Sequence, residues 1–300
     1  MICANMIAFG ISSKASKEYW GLKFTAEEAG STIAMTKGAS APDVSLLTSR
    51  DGNTWTQFIP NETTITLTNV GDYVYFKAGE GGNTGLGPTS GTSTDYANVF
   101  TMTGKISASG NIMSLLNGNE QITELTENNS RCFLRLFQDC TPLTKAPELP
   151  AETLAIYCYY CMFYGCSSLT KAPALPATTL TSNCYHGMFY NCTSLTQAPE
   201  LPAETLATRC YENMFYGCTS LTQAPELPAE TLAHYRYYGM FRGCSNLSSI
   251  NVNFTEWNPT NATTNWVLGV KSTGTFICPD ELQEVRGTSY IPSRWTIQRK

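Results

Sequence analysis

The chain contains few residues of the types that catalyse reactions. Its 300 residues include only two histidines, His186 and His234. Nucleophilic hydrolysis needs a histidine beside a nucleophile and an orienting carboxylate, and neither histidine has a reproducible Ser, Cys or Asp partner in the sequence. We therefore predict that the protein is not an enzyme and that it uses neither a cofactor nor a metal.

Glutamates recur at a fixed spacing and form two predicted acidic columns: Glu148, Glu200 and Glu226, and Glu152, Glu204 and Glu230. A pair of carboxylates is what a glycosidase needs, and neighbouring carboxylates could also attract a cation or a basic partner. Ala174 and Thr178 interrupt the columns, and a repeat surface offers no enclosing pocket. We expect these glutamates to be solvated.

The cysteines also follow a fixed spacing, in the pairs Cys132/Cys140, Cys158/Cys166, Cys184/Cys192 and Cys210/Cys218. Disulfide bonds within each pair are one interpretation, but Arg236 replaces the first cysteine of the next pair and would leave Cys244 unpaired. Metal binding is another, although the chain lacks CxxC pairs with nearby histidine. We favour columns of buried free thiols, because cysteine packs as a small apolar residue.

These residues belong to a segment that repeats every 26 residues, in copies that begin at Leu143, Leu169, Leu195 and Leu221. A period of this length predicts a solenoid whose units bury their apolar sides against their neighbours. Tyr159, Met162, Phe163 and Cys166 fall at i, i+3, i+4 and i+7, which predicts an apolar stripe on a short helix. A short strand should follow from Leu169 to Pro173.

The region before the repeats predicts a different architecture. Between residues 22 and about 110, short β-branched and aromatic runs alternate with turn residues, which is typical of a β-sandwich. Ser49–Trp55 resembles the Asp-box hairpin of sialidases, in which Asp51 would accept backbone N–H bonds and stabilise the turn. The Gly-, Ser- and Thr-rich residues 79–94 predict a flexible surface loop, with a contact loop as the alternative.

The predicted fold class is α+β: an all-β sandwich, then a short leucine-rich-repeat solenoid, then a C-terminal cap. The predicted divisions are 1–20 for an N-terminal arm or anchor, 21–114 for the sandwich, 115–142 for a cap with a degenerate repeat, 143–246 for four repeats and 247–300 for a C-terminal cap. Caps are expected because terminal units must cover an exposed apolar edge.

The copies differ from one another at few positions. Four of these positions, spaced i, i+1, i+4 and i+5, would share one helical face opposite the buried stripe. The resulting candidate ligand-binding residues are Tyr157, Tyr160, Asn183, His186, Arg209, Glu212, His234, Tyr235 and Tyr238. Tyrosine and arginine are suited to contact a protein or a glycan, whereas the alternative is that solvent-facing positions simply vary.

Composition limits the classes of partner. Charged residues are 14% of the chain and the net charge is −5, which disfavours nucleic acid because phosphate binding needs clustered Lys and Arg. No apolar run is long enough to span a bilayer, so we expect no membrane insertion. The segment Met1–Ile11 is apolar but has no basic residues ahead of it and no small-x-small cleavage site behind it, so a secretory signal is not expected.

The repeated sequence Met-Phe-Tyr-Gly-Cys-Thr-Ser-Leu-Thr-x-Ala-Pro-x-Leu-Pro resembles the unit of BspA-like leucine-rich repeats over residues 132–254. It departs from that unit in having Met before Phe and Ala-Pro in place of an aliphatic pair. The resemblance implies a surface protein of the kind found in Bacteroides and Treponema, with adhesion or partner binding and no catalytic residues.

Together these features predict a non-enzymatic binding protein on an external surface. The preferred location is a phage virion, as a head fibre, capsid decoration or tail attachment protein, because virion parts are released by lysis without a signal peptide. In that case the N-terminal region could contact other virion proteins. The alternatives are a bacterial cell-envelope adhesin, whose signal would lie upstream, and a structural spacer without a ligand.

Overall fold

The computed structural model describes residues 21–93, 95, 97–118, 122–259 and 261–300. The predicted N-terminal arm lies outside these residues. The N-terminal region contains eight strands: β1 Lys23–Ala26, β2 Ser31–Lys37, β3 Leu46–Ser49, β4 Thr56–Phe58, β5 Thr64–Leu67, β6 Tyr73–Ala78, β7 Asn98–Thr103 and β8 Ile106–Ser109. The prediction that this region is rich in strands is confirmed.

These strands form two sheets whose inner faces meet through phenylalanines. A six-stranded sheet has the order β4-β3-β6-β1-β8-β9, where β9 is Leu143–Lys145, and a three-stranded sheet has the order β5-β2-β7. The Phe100 ring on β7 lies 5.1 Å from Phe24 on β1 and 5.4 Å from Phe76 on β6, centroid to centroid. Buried and partly exposed residues alternate along β2 and β6, because successive side chains point to opposite sides of a strand.

The hydrophobic core continues from these sheets into the repeats. Strand β9 lies in the first full repeat and pairs in parallel with β8, with Ile106 opposite Leu143. Phe137 stacks on Phe100 at 5.4 Å, and the buried residues of both regions form one cluster. The only α-helix in the described residues, α1 (Ser114–Asn117), lies at the predicted boundary, where Ser114 and Leu115 are fully buried.

The helical part of the predicted α+β class is wrong. In place of a helix, each repeat has a series of tight turns, here called the turn segment, which is residues 156–166 in one copy and their equivalents in the others. Within it, the Met162 N–H donates to the Tyr159 carbonyl oxygen, whereas the Tyr159 N–H donates to the Cys184 carbonyl oxygen of the next copy. Every second N–H therefore bonds to the neighbouring repeat.

Positive φ angles explain why the turn segment is not helical. Tyr157, Cys161 and Gly165 have φ of 58°, 50° and 73°, whereas an α-helix requires about −63°. A left-handed residue at every fourth position turns the chain repeatedly and leaves two adjacent side chains per turn facing inward. The apolar spacing therefore resembles that of a helix, although the backbone is different.

Equivalent side chains stack on one another in the core. Phe137, Phe163, Phe189, Phe215 and Phe241 form one column, with successive ring centroids 5.4 to 5.8 Å apart. Tyr159, Tyr185, Tyr211 and Tyr237 form a second column, with separations of 5.9 to 6.1 Å. Consecutive repeats are thus held together by backbone hydrogen bonds and by ring contacts.

The cysteines fill the same core as free, buried thiols, which confirms the favoured interpretation for the eleven that the structure describes. The Cys192 Sγ lies 3.1 Å from the Phe163 carbonyl oxygen of the preceding copy and donates to it, and Cys218 does the same with Phe189 at 3.0 Å. Burial raises the pKa of the Cys184 thiol to about 12. These thiols therefore remain protonated at neutral pH.

Regular strands return at the C-terminal end. β10 (Gln223–Leu227), β11 (Ser249–Val252), β12 (Thr275–Cys278) and β13 (Thr296–Arg299) form a parallel sheet. The middle copies have only isolated bridges at these positions, such as the one between Lys171 and Gln197. Repeat geometry extends beyond residue 246, since the Phe241 N–H donates to the Trp266 carbonyl oxygen at 2.9 Å.

Candidate binding surface

The nine predicted ligand-binding residues lie on the outer side of the turn segments, which we call the turn face. Two columns run across the copies: Tyr157, Asn183, Arg209 and Tyr235 in the first, and Tyr160, His186, Glu212 and Tyr238 in the second. His234 is exposed at the edge of the first column, where its Nδ1 lies 2.8 Å from the Asn261 Oδ1.

Side chains of successive copies touch one another along the second column. The Tyr160 ring stacks on His186 with centroids 4.6 Å apart and planes 10° from parallel. His186 Nδ1 lies 3.8 Å from Glu212 Oε2, and the Arg209 guanidinium lies 3.3 Å from the same oxygen. The structure therefore brings four of the predicted residues together in a continuous line.

Cation–π and aromatic contacts continue the line toward the C-terminal end. The Arg209 guanidinium carbon lies 4.7 Å from the centre of the Tyr235 ring, and Tyr235 packs against Tyr238 at 5.9 Å. A guanidinium over an aromatic ring contributes about 0.5–1 kcal/mol at an exposed site. The pair presents both a planar apolar surface and unused N–H donors.

A matching contact at the N-terminal end involves a residue that sequence reasoning missed. The Arg131 guanidinium carbon lies 4.6 Å from the centre of the Tyr157 ring, and Tyr157 packs against Tyr160 at 5.5 Å. Arg131 stands 26 residues before Tyr157, in the degenerate first copy. Extending the comparison of copies to that unit would have found it.

His186 and Glu212 form the most buried ionisable pair on the turn face. Burial, followed by the positive charges of Arg209 and Arg135, lowers the pKa of His186 to about 4. Burial also raises the pKa of Glu212, and Arg209 opposes that change. With a pKa of about 4, His186 is neutral at neutral pH. Neither His186 Nδ1 nor Glu212 Oε2 has a hydrogen-bond partner within the described residues, so the two side chains gain little from lying close together.

The predicted residues divide into exposed and supporting groups. The Arg209 side chain is 44% exposed, whereas that of Glu212 is 10% exposed. Asn183 is buried with φ of 57°, which Asn tolerates better than most residues. Asn183 and Glu212 therefore act mainly on the shape of the turn face, and Arg209 and His234 are the residues most open to a ligand.

Comparison with known proteins agrees with this repeat geometry. The BspA type leucine-rich repeat region family matches residues 130–265 in six copies. These residues are a BspA-type leucine-rich repeat array. The predicted resemblance is confirmed, and it extends on both sides of the four copies that are clear in the sequence. No curated protein and no solved structure matches the chain. BspA-type repeats are generally non-enzymatic and suggest surface binding or adhesion.

A second surface of the BspA-type array lies on its proline-rich side. One groove of about 830 Å³ runs between Thr196–Pro202 and its equivalent in the next copy, and another of about 410 Å³ lies beside Lys145 and Lys171. Glu200 and Glu226 are exposed at the larger groove, and the Lys300 ammonium lies 3.5 Å from Glu226. Both grooves are open and shallow, and in the described residues no three His, Cys, Asp or Glu side chains are placed to hold a metal ion.

The glycine-rich loop, for which the sequence favours a flexible surface loop and leaves a contact loop as the alternative, packs against the BspA-type array. Leu86 is fully buried, and its N–H donates to the Cys132 carbonyl oxygen at 2.7 Å. Glycine permits this close approach, because a Cβ at Gly85 would lie 2.7 Å from the Cys132 Cα. The loop is fixed against the degenerate copy that contains Cys132, and it covers that end of the turn face.

The Asp-box-like hairpin joins β3 and β4 as the sequence predicted. Asp51 Oδ1 accepts the N–H groups of Asn53 at 2.8 Å and Thr54 at 2.7 Å, and Gly52 takes a φ of 74°. These backbone hydrogen bonds hold the pKa of Asp51 well below its usual range. The motif stabilises the turn.

No helix within the described residues is both long and apolar enough to cross a membrane.

Proposed function

We propose that the protein is a non-enzymatic binding protein whose turn face contacts a protein or glycan on a host or neighbouring cell. In this proposal a β-sandwich carries a solenoid of BspA-type repeats, and the solenoid presents the ligand-binding residues. The observation that supports it most directly is the unbroken line of contacts from Arg131 through Tyr160 and Glu212 to Tyr238.

The chemistry of this line suits recognition. Tyrosine and arginine supply large contact areas at low entropic cost and are enriched where proteins bind one another. Ring and guanidinium contacts hold these side chains in place before binding, which reduces the ordering cost. Arg209 and Tyr235 are the residues on which we expect binding to depend most.

The location that we propose is the surface of a phage virion, with the N-terminal region attached to other virion proteins. Free thiols at the repeated cysteine positions support a chain that folds in a reducing compartment, such as the cytoplasm in which virions assemble. A cell-envelope adhesin would instead fold after export. Mass spectrometry of purified virions tests the proposal: the chain should be present, and its recovery only from envelope fractions would refute this location.

Binding itself is tested with the purified full chain on host cells and on a glycan array. The variant Arg209→Ala/Tyr235→Ala should lose at least ten-fold in apparent affinity. Gln197→Ala/Glu200→Ala, on the proline-rich side, is the matched control and should bind as the original chain does. Equal thermal stability of both variants would exclude unfolding as the cause. If neither variant changes binding, or no surface is bound, the turn face is not the ligand site and a spacer role gains support.

A further inference from the structure

Two sets of side chains on the turn face repeat the same arrangement three copies apart. The first cluster is Arg131, Tyr157 and Tyr160, and the second cluster is Arg209, Tyr235 and Tyr238. Each residue of one cluster is the 26-residue-repeat equivalent of a residue in the other. Of the two copies between these tyrosine pairs, one carries Asn183 and His186 at the tyrosine positions and the other carries Arg209 and Glu212, so the arrangement is not a property of every repeat.

The geometry of the two clusters is closely similar. The distance from the guanidinium carbon to the tyrosine ring is 4.6 Å in the first cluster and 4.7 Å in the second. The two tyrosine rings are 5.5 Å apart and inclined by 50° in the first, and 5.9 Å apart and inclined by 54° in the second. A segment that fits one cluster should therefore fit much of the other.

The first cluster already holds a segment of its own chain. Arg131 donates from Nε to the Gly91 carbonyl oxygen at 3.1 Å and from its terminal nitrogen to the Thr89 carbonyl oxygen at 3.4 Å. The neighbouring Arg135 donates from Nε to the Thr92 carbonyl oxygen at 2.6 Å. The Thr92 side chain also interacts with the Tyr160 hydroxyl and opposes the rise that burial causes in the pKa of Tyr160. The segment is uncharged and is recognised chiefly through its backbone carbonyls.

The second cluster has no such segment over it in the part of the chain that the structure describes. The Arg209 guanidinium contacts the Glu212 carboxylate at 3.3 Å and the Tyr235 ring, and its side chain is 44% exposed. An arginine has five N–H donors, so most of them remain available for acceptors. Asn213 stands at the position equivalent to Arg135 and also carries N–H donors.

We propose that the second cluster binds an extended, uncharged Gly-, Ser- or Thr-rich segment of a partner protein, in the way that the first cluster binds residues 89–92. This inference rests on the proposed function and names the ligand class for one part of the turn face. Backbone carbonyls would accept from Arg209, small side chains would allow close approach to Tyr235, and the Tyr238 hydroxyl would bond to a Ser or Thr. The second cluster would thus bind its partner chiefly through the partner's backbone carbonyl oxygens.

The test uses a synthetic peptide with the sequence of residues 88–93, Pro-Thr-Ser-Gly-Thr-Ser, added to the full chain and followed by NMR. We expect saturable shifts of the Arg209 side-chain Nε–H resonance and of the Tyr235 and Tyr238 signals. Arg209→Ala should lower the affinity for the peptide at least ten-fold. Arg242→Ala is the matched control, because Arg242 also covers a tyrosine, Tyr216 at 5.4 Å, but lies outside both clusters.

Two results would overturn the proposal. One is the absence of shifts at the second cluster at millimolar peptide, and the other is equal weakening by Arg209→Ala and Arg242→Ala. If Arg209→Ala/Tyr235→Ala abolishes binding to host surfaces while the peptide does not bind, the peptide ligand is wrong and the binding function stands. If the peptide binds but host-surface binding is unchanged in that variant, the proposed host-surface function is wrong and the peptide-binding proposal stands.

Discussion

The side-chain oxygen of Asn191 occupies the space that a Cβ on Gly217 would fill. The same relationship holds between Asp139 and Gly165 and between Asn213 and Gly239. In each case a left-handed residue of one copy reaches over a left-handed glycine of the next. Consecutive copies therefore constrain one another's residue types, and part of the variation among copies reflects packing between neighbours.

This relationship predicts that Gly217→Ala is unusually costly. A left-handed alanine costs roughly 1–2 kcal/mol, and the overlap with Asn191 should add at least about 1 kcal/mol to the loss in unfolding free energy. Gly243→Ala is the matched control, because Gly243 has a φ of 77° and its Cβ would meet ordinary contacts at 3.5 Å or more. Urea denaturation measures both. Equal losses of unfolding free energy in Gly217→Ala and Gly243→Ala would contradict the overlap. So would a double variant, Asn191→Gly/Gly217→Ala, that is no more stable than Gly217→Ala.

The buried pair on the turn face predicts a pH dependence of stability. In the folded protein the pKa of His186 is about 4, below its ordinary 6.5. The contribution of the neutral imidazole to the unfolding free energy is therefore complete above pH 6.5 and is lost as the pH falls toward 4. The size of the pKa difference corresponds to up to about 3 kcal/mol. His186→Phe, which keeps a ring against Tyr160, should remove this loss when unfolding free energy is measured from pH 7 to 4.

Glu212 should show the opposite trend in the same measurements. Its folded pKa is raised, so its contribution is complete below its unfolded pKa and is lost as the pH rises through the folded value. Glu212→Gln should therefore raise the unfolding free energy more at neutral pH than at pH 4. A variant that is uniformly less stable at both pH values would show that the Glu212–Arg209 contact outweighs the burial of the carboxylate.

The tyrosine column predicts that one buried hydroxyl is dispensable. The Tyr185 hydroxyl is buried without a hydrogen-bond partner, and Phe133 already stacks on Tyr159 at the equivalent end of the column, at 5.8 Å. An unpaired buried hydroxyl costs about 1–3 kcal/mol, so Tyr185→Phe should leave thermal stability unchanged or raise it. A fall of more than about 1 kcal/mol would mean that this hydroxyl is hydrogen-bonded in solution.

The thiol columns predict slow modification under native conditions. Burial raises the pKa of Cys218 and of its neighbours, and the thiolate is the reactive form. We expect Cys158, Cys184 and Cys218 to react with iodoacetamide only at the rate of unfolding, as followed by peptide mass spectrometry. Denatured protein provides the fully labelled control. Rapid labelling of Cys218 in the native state would show that the repeats open locally.

Much of the candidate surface followed from comparing copies within one chain. Tyr157, Arg209 and Tyr235 stand at positions that vary while their neighbours do not, and the structure places Arg209 against Tyr235. Arg131 was missed because its copy is degenerate, and the covering of Tyr160 by residues 89–92 could not be predicted because no local pattern reports a contact between segments distant in sequence.

The sequence by itself determined the repeat, its family and the apolar residues of the core, because a fixed period and buried side-chain types are properties of the chain's order alone. Only the tertiary structure decided that the repeat turns without forming a helix. The i, i+3, i+4, i+7 spacing of Tyr159 to Cys166 fits both conformations, and backbone hydrogen bonds to the next copy select the turns. Those bonds join residues 25 positions apart, so they exist only once the copies have stacked.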